Sequence, residues 1–538
     1  MAVERRPRAH PLAVPALRRP PAWTIALLAS AVVVSIGRLG PDWPAQEFRA
    51  WLAGALGQLS WNDSWYSGHA LPGYSVLYPA LAAGLGAALT GLLAATLSAW
   101  SAARLIAAAA GVSGRTSWLI AVAAAACIAD NLFIGQLPFL LGVAAGLQSI
   151  LAVRRGRFWV AAAASAGCSL ASPLAGLFLA MIAAAWLPEL GWRRAVVFLG
   201  SGLGAAVALL IGGTPGRFPS DLYSTGAAAG FVLIGLVLIP RRYRTLRRFM
   251  YVYGGTAAVL LSVPNPVGGN VDRLARLVAV PLAIWVVAQH RPLRRVGRSV
   301  LIGLSCAGAL VMHLYAPISA LARASDDPSA RPQFYQGLLG FLAGQRQTAG
   351  RLEIPFTREH WEAAFVAPHF PLARGWERQL DLAYDAVLYH PLTAASYRSW
   401  LDSAAVDLIA VPQAPLDYGG QAEQVLLRHP PAYLVPAYRD AHWQVFRVVH
   451  PAPLVSGGHA ELTALGPSSF TLHFASAGTA LIKLHANPMW QLDSPTACLL
   501  ATPDGWLHVR DTQAGTVTAT ASVSIQSLLR QAGPACGR

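Results

Sequence analysis

The sequence predicts an α-helical polytopic membrane bundle of about eleven spans, followed by an extracytoplasmic part with a mixed α/β region and a β-sandwich. Of the 538 residues, 55% are hydrophobic and only 12% are charged, and the mean hydropathy is +0.45. A soluble globular chain carries roughly 25% charged residues, so this composition indicates an integral membrane protein. Apolar segments recur up to about Ala320, where the composition changes to that of a water-soluble chain.

The N-terminal stretch RRPRAHPLAVPALRRPP is basic and rich in proline. We therefore expect residues 1–21 to form a disordered cytoplasmic tail. A cleaved signal peptide is the alternative, because Ala29-Ser30-Ala31 has the small residues of a cleavage site. The apolar run continues to Ile36, which favours a retained first span.

The transmembrane domain is predicted to cover residues 22–319. Each span needs on the order of 20 apolar residues, somewhat fewer where flanking residues reach the interface. The predicted spans lie near 22–39, 74–97, 116–132, 135–153, 158–171, 173–188, 195–213, 226–240, 249–264, 271–289 and 299–317.

Arginine-rich loops alternate with loops that carry few basic residues, and this alternation predicts the orientation. Arg154-Arg155-Gly156-Arg157 and the run from Arg241 to Arg248 fall on the same side as the basic N-terminus. By the positive-inside rule that side is cytoplasmic, and an odd number of spans places the C-terminal part outside the cell membrane. The net charge of +16 is explained by this pattern, so no nucleic-acid partner is expected.

The first outer loop, residues 40–73, is dense in carboxyl and aromatic side chains. Pro44 suits the first turn of a short amphipathic helix on the membrane surface. Asp42 and Glu47 are the catalytic candidates. Transfer of a sugar from a lipid phosphate to a hydroxyl needs a carboxylate that takes the proton or holds a divalent cation that does so. The alternative is that both are solvated charges, with Glu47 favouring a helix N-terminus.

Substrate-binding candidates lie in the same loop and at the tenth span. Trp65 and Tyr66 can stack on sugar faces, although an interfacial aromatic belt is an equally valid interpretation, and His69 is either a ligand or a satisfied polar residue. Arg273 and Arg276 lie on the side where arginine is otherwise scarce, and their i, i+3 spacing places both on one helix face. Such a pair suits a phosphate head group, whereas the alternative is a salt bridge to Asp272.

The exported part divides into a predicted α/β domain over 320–453 and a predicted β-sandwich over 454–538. Strands are expected at 351–356, 407–412 and 442–449, and a helix at 393–405. Cys498 and Cys536 are the two cysteines of this part, and we expect a disulfide between them because an extracytoplasmic location permits it. No Cys/His cluster has the spacing of zinc ligands. The sequence leaves the cofactor open, and a divalent cation is compatible with it.

Five segments resemble the GT-C class of membrane glycosyltransferases, and the resemblance covers most of the chain. They are WYSGHALPGYSVLYPALA (65–82), NLFIGQLPFLLG (131–142), SLASPLAGLFL (169–179), PFTREHWEAAFVAPHFPLARGWERQLD (355–381) and WLDSAAVDLIAVPQAPLDY (400–418). The chain is most similar to large actinobacterial membrane proteins of this architecture. The resemblance implies a catalytic acidic residue in the first loop, which is Asp42 or Glu47 here, and a polyprenyl-phosphate sugar donor. The loop lacks the Asp-x-Asp or Glu-x-Asp pair of that class.

Three classes of function follow from these observations. The first is a membrane glycosyltransferase that moves a sugar from a polyprenyl-phosphate donor to a cell-envelope glycan on the outer face. The second is a transporter or flippase of lipid-linked precursors, which the scarcity of carboxylates in the central spans disfavours. The third is a non-catalytic, glycan-binding membrane scaffold. If catalysis occurs, Asp42 and Glu47 are expected to face the same cavity as Arg273 and Arg276.

Overall fold

A computed structural model describes residues 19–37, 40–57, 59–109, 112–192, 195–212, 216–289, 296–346, 350–522 and 536. Most of the predicted cytoplasmic tail, residues 1–18, lies outside the described residues. The described part consists of a helical bundle followed by a C-terminal region that contains three β-sheets of four strands each.

The N-terminal half of the chain is helical apart from one short hairpin. Its elements are α1 (Ala22–Ile36), α2 (Trp43–Leu56), β1 (Trp61–Asn62), β2 (His69–Ala70), α3 (Leu77–Leu85), α4 (Ala87–Ala107), α5 (Gly114–Ile134), α6 (Leu137–Arg154), α7 (Phe158–Ala171), α8 (Pro173–Leu190), α9 (Val196–Gly212), α10 (Leu222–Leu238), α11 (Arg244–Ser262), α12 (Asp272–Gln289) and α13 (Val296–Ser325).

Within the described residues, five helices are long and apolar enough to cross a membrane. They are α4, α5, α6, α8 and the stretch Ile302–Arg323 of α13, and shorter apolar helices include α1, α7 and α10. These helices support a multi-pass membrane protein. The count of eleven spans, the domain boundaries and the orientation of the termini stay predictions.

Two local features differ from the sequence-based expectation. The second predicted span, 74–97, is divided between α3 and α4, because Gly86 has a φ of +81° that ends the first helix. The apolar face of the short helix α2 packs inside the protein, and its position at the membrane surface stays a prediction. Phe48 and Leu52 are fully buried beneath the C-terminal region, so α2 is an internal helix, and the expected apolar face ends in the exposed Leu56.

The C-terminal region begins with helices and a mixed sheet. Its elements are α14 (Gln336–Leu342), β3 (Arg351–Glu353), α15 (Glu362–Phe365), α16 (Arg378–Tyr384), α17 (Ala394–Ser403), β4 (Val406–Pro412), α18 (Gln421–Leu427), β5 (Leu434–Arg439) and β6 (Trp443–Val448). The sheet order is β3-β4-β6-β5, with β3 and β4 parallel and the other pairs antiparallel. The strands β3, β4 and β6 and the helix α17 lie where the sequence predicts them.

Two antiparallel sheets follow and enclose one hydrophobic core. Their strands are β7 (Val455–Ser456), β8 (Ala460–Gly466), β9 (Ser469–Phe474), β10 (Gly478–His485), β11 (Trp490–Leu492), β12 (Ala497–Ala501), β13 (Trp506–Asp511) and β14 (Gly515–Ala521). The orders are β12-β13-β10-β7 and β11-β14-β9-β8. Alternate residues such as Ile482, Val509 and Val517 point inward and are fully buried, as in a β-sandwich. The structure joins Cys498 to Cys536 by a disulfide.

One hydrophobic core runs from the helical bundle into the C-terminal region. It includes Ala94 and Ile128 of the bundle, Trp65 of the first outer loop, and Leu408 and Trp443 of the mixed sheet. The first outer loop also reaches the sandwich, where the ring of Trp61 packs edge-on against Trp490 with centroids 5.9 Å apart. The first outer loop therefore fixes the C-terminal region to the bundle.

Candidate functional site

A cavity of about 270 Å³ lies between the helical bundle and the C-terminal region. Its volume is close to the lower end of the range typical of ligand sites, roughly 300–1,000 Å³. The lining residues are Asp42, Ala45, Gln46, Arg49, Gly73, Tyr74, Pro138, Phe139, Ser172, Pro173, Leu174, Phe218, Pro219, Pro266, Val267, Asn270, Arg273, Trp376, Glu377, Arg378, Gln379 and Tyr418.

The position of Asp42 is set by the turn between α5 and α6. The Asp42 amide donates a hydrogen bond to the Ile134 carbonyl at 3.0 Å, and the Trp43 indole N–H donates to the Leu132 carbonyl at 3.1 Å. Gly135 allows this contact because its φ is +90° and a Cβ there would lie 2.5 Å from the Trp43 nitrogen. The first outer loop is thus held against the turn that joins α5 and α6, with Asp42 at the start of α2.

Asp42 and Arg273 face each other inside the cavity. Their closest charged atoms are 3.7 Å apart, and their side chains are 23% and 13% exposed. Burial raises the pKa of Asp42 above its usual range, although the guanidinium groups of Arg273, Arg276 and Arg49 each lower it. A carboxylate with a raised pKa is a stronger proton acceptor when it is ionised, which is the property that a general base needs.

A second ion pair links α2 to the C-terminal region at the same cavity. Arg49 donates to the Glu377 carboxylate at 2.8 Å, and the two side chains are only 2% and 3% exposed. The Arg49 guanidinium also lies 4.0 Å from the ring centre of Tyr74. Burial raises the pKa of Glu377, and Arg49 opposes this increase. The pair closes one wall of the cavity.

Besides α2 and the short helix α16, three of the described helices begin at the cavity. Pro138 and Phe139 belong to the first turn of α6, Pro173 and Leu174 to that of α8, and Arg273 to that of α12. Helix N-termini carry partial positive charge and exposed N–H groups, so they favour an anion. The charged lining residues are three arginines and two carboxylates, which leaves a net positive charge. The bundle side of the cavity is therefore suited to a phosphate group.

The segments that carry the GT-C resemblance all contribute to this cavity. Tyr74 comes from 65–82, Phe139 from 131–142, Pro173 from 169–179, Trp376 from 355–381 and Tyr418 from 400–418. Segments far apart in the sequence thus meet at one site.

Comparison with solved structures gives matches to membrane proteins at 13% sequence identity. The arabinofuranosyltransferase AftD from Mycobacteria covers 94% of this chain with a TM-score of 0.44, and this chain spans 57% of AftD. ArnT from Cupriavidus metallidurans bound to undecaprenyl phosphate covers 80% of this chain and 98% of its own, with a TM-score of 0.38. The arabinosyltransferase EmbB from Mycobacterium smegmatis covers 98% and 65%, with a TM-score of 0.33.

No protein-family profile matches the chain, and no curated protein matches it. All the TM-scores lie below 0.5, so the chemistry of the site has to be judged from its own residues.

The structure brings together only part of the predicted site. Asp42 and Arg273 line the cavity, whereas Glu47 and Arg276 are not among its lining residues. From the start of α2, the positions that face the cavity include Asp42, Gln46 and Arg49. Glu47 follows Gln46 directly, and each residue of an α-helix is rotated by about 100° from the one before it, so the two side chains leave the helix in different directions. Arg276 instead pairs with Asp272 one turn earlier, at 3.0 Å. Arg273 and Arg276, which were expected to bind one ligand together, therefore have different partners.

Trp65, Tyr66 and His69 are packing residues in this structure, in contrast to the predicted sugar contacts. Trp65 is fully buried between the ring of Phe48, at 4.3 Å, and that of His69, at 5.8 Å. The Tyr66 hydroxyl donates to the Gly375 carbonyl at 2.6 Å. Burial lowers the pKa of His69 to about 3, so the imidazole is neutral. The physical reason is that the C-terminal region covers this part of the first outer loop.

Sequence reasoning did not identify Arg49, Glu377, Arg378 or Tyr418 as site residues. Arg49 and Glu377 are 328 positions apart, and each alone resembles an ordinary surface charge. The one available signal was their location inside the first outer loop and inside the segment 355–381 that carries the resemblance.

No group of three or more His, Cys, Asp or Glu side chains is placed to hold a metal ion within the part of the chain that the structure describes. Each of the two cavity carboxylates has one oxygen within 4.0 Å of an arginine nitrogen.

Proposed function

We propose that the protein is a membrane glycosyltransferase that transfers a sugar from a polyprenyl-phosphate donor to a hydroxyl of a cell-envelope glycan on the outer face. The observation that carries this proposal is the cavity in which a carboxylate, Asp42, lies beside Arg273 and the first turns of three helices. A base and an anion-binding surface in one site are the parts that such a transfer requires.

In the proposed reaction, Asp42 accepts the proton of the acceptor hydroxyl. The hydroxyl oxygen then attacks the anomeric carbon of the sugar, and the bond from that carbon to the phosphate oxygen breaks. The phosphate leaves on the polyprenyl chain with the electron pair of the broken bond. Arg273 and the N-termini of α6, α8 and α12 stabilise its negative charge, because they are already oriented toward the cavity.

Asp42→Asn is the first test, with Glu47→Gln as the matched control in the same helix region. Full-length protein in nanodiscs is mixed with a donor and an acceptor. The donors are polyprenyl-phosphate sugars that carry a radiolabelled monosaccharide, and the acceptor is a delipidated cell-envelope glycan fraction. We expect Asp42→Asn to lower transfer by roughly 10²- to 10⁴-fold, the usual contribution of a general base. Glu47→Gln is expected to stay within a few-fold of wild type. Full activity of Asp42→Asn would reject Asp42 as the base, whereas absence of transfer by the wild type would favour the non-catalytic scaffold.

Arg273→Ala tests the phosphate site, with Arg276→Ala as its control. Loss of one charged hydrogen bond to the donor phosphate should weaken donor binding by roughly 1.5–3 kcal/mol. Binding is measured with a fluorescent polyprenyl phosphate titrated into the nanodiscs. Equal losses for the two variants would contradict the assignment, because Arg273 lines the cavity and Arg276 does not.

A further inference from the structure

Four side chains form a continuous stack on the C-terminal side of the cavity. The rings of His360 and Trp376 are parallel within 8°, with centroids 3.5 Å apart. The Arg378 guanidinium carbon lies 4.9 Å from the centre of Trp376 and 4.3 Å from the centre of Tyr418. We call His360, Trp376, Arg378 and Tyr418 the aromatic ladder. Its last three members line the cavity.

The buried part of the aromatic ladder is held rigidly. Arg378 donates to the Asp417 carboxylate at 2.8 Å and to the Tyr389 hydroxyl at 2.7 Å, and its side chain is 8% exposed. Asp417 also accepts a hydrogen bond from the Gly419 amide at 2.8 Å. These contacts hold the guanidinium in place. The ring of Tyr418 packs one face against that guanidinium, so its orientation is held as well.

Tyr418 ends the aromatic ladder with an exposed ring. Its residue is 54% exposed, whereas His360 is 1% exposed and Arg378 8%. An aromatic ring that is supported on one face and open on the other can stack against the apolar C–H face of a sugar. The charge of Arg378 is already compensated by Asp417, so this end of the cavity does not favour an anion. A neutral sugar ring fits it better than a phosphate group.

Trp376, the second member of the aromatic ladder, adjoins the proposed base. The indole N–H of Trp376 donates to the Pro41 carbonyl at 2.7 Å, and Pro41 immediately precedes Asp42. The aromatic ladder therefore leads from Tyr418 to the carboxylate. The anion-binding helix N-termini come from the bundle, whereas the aromatic ladder comes from the C-terminal region, so two ligands can approach Asp42 from different walls.

We propose that Tyr418, supported by Arg378, forms a subsite that binds a neutral sugar ring of the acceptor glycan. The identification of this sugar as part of the acceptor rests on the proposed function. The binding of a sugar at Tyr418 does not itself need catalysis. It assigns acceptor recognition to the C-terminal region and donor recognition to the bundle.

Saturation-transfer difference NMR on the full-length protein in nanodiscs tests the subsite without any turnover. The probes are four linear tetrasaccharides, made of glucose, mannose, N-acetylglucosamine or arabinofuranose. Tyr418→Ala removes the ring, and Tyr418→Phe is the matched control that keeps it. Tyr433→Ala controls for loss of an aromatic ring of the same region that does not line the cavity.

We expect at least one tetrasaccharide to bind wild type, with signal on its ring C–H protons. Tyr418→Ala should weaken that binding by about threefold to tenfold, the range of one aromatic contact. Tyr418→Phe and Tyr433→Ala should bind as wild type does. Absence of binding to every probe, or equal binding by Tyr418→Ala, would overturn the subsite.

The transfer assay separates failure of the subsite from failure of the proposed function. Sugar binding that depends on Tyr418 in a protein without any transfer activity would leave the subsite standing and reject the glycosyltransferase. Transfer that depends on Asp42, together with an acceptor KM that is unchanged in Tyr418→Ala, would support the glycosyltransferase and reject the subsite. A rise in acceptor KM with little change in kcat would support both.

Discussion

The buried ion pair between Arg49 and Glu377 should control how firmly the C-terminal region is held on the bundle. In Glu377→Leu, the guanidinium of Arg49 stays buried, at 2% exposure, without its carboxylate partner. Removal of one partner of a buried pair costs about 3–5 kcal/mol. The contact of Arg49 with the ring of Tyr74, 4.0 Å away, persists in the variant and places the expected loss near the lower value.

The matched control is Asp402→Leu, which breaks the exposed pair between Arg398 and Asp402. These side chains are 26% and 38% exposed and lie one helical turn apart, so the loss should be about 0.5 kcal/mol or less. The double variant Arg49→Met/Glu377→Leu should recover most of the stability. Burial raises the pKa of Glu377 in spite of Arg49, which means that the ionised carboxylate is not favoured by folding.

Hydrogen–deuterium exchange of the full-length protein in nanodiscs measures these losses in α2 and in residues 374–381. For Glu377→Leu we expect local opening to become roughly 10²-fold more frequent, whereas Asp402→Leu should change it less than about threefold. If Glu377→Leu exchanged like Asp402→Leu, the pair would not hold the two parts together. If the double variant were as open as the single one, the account of an unpaired buried charge would be wrong.

Three further predictions follow from the electrostatics, the cysteines and the charge pattern. Because burial raises the pKa of Asp42, transfer should fall as the pH drops through that raised value, and a profile that is flat down to the usual range of aspartate would contradict this. Reduction of the Cys498–Cys536 bridge should destabilise the sandwich by roughly 3–4 kcal/mol, measured by its thermal unfolding, whereas both thiols reacting without reductant would remove the bridge. A tag after Arg154 should be protected from protease in intact cells and a tag at Arg538 should be cleaved; the opposite pattern would invert the orientation.

Sequence and structure agree where the physics is local. Hydropathy alone predicts the apolar helices, because each span has to satisfy its own backbone hydrogen bonds in lipid. A short apolar run predicts the buried strand β4, and alternation of apolar residues predicts β6, each within one or two positions. The break at Gly86 was not predicted, because glycine inside a long apolar run is compatible with a continuous helix as well.

Asp42 could be selected from the sequence because it lies at the start of the first outer loop and precedes a proline-initiated helix. Arg273 could be selected because arginine is rare on the predicted outer side. Both remain in the site that the structure forms. The choice between Asp42 and Glu47 needed the rotation of α2, which local sequence does not fix when both helix faces are covered.

The sequence by itself determined the class of the protein, its apolar helices, the C-terminal β-rich region and two of the charged residues of the cavity. Only the tertiary structure decided that Trp65 and His69 are buried, that Arg49 meets Glu377, and that Tyr418 is left exposed beside Arg378. These outcomes depend on how the C-terminal region covers the first outer loop. The pair of Arg49 and Glu377 joins residues 328 positions apart, and no periodicity or local preference records which of two distant surfaces will meet.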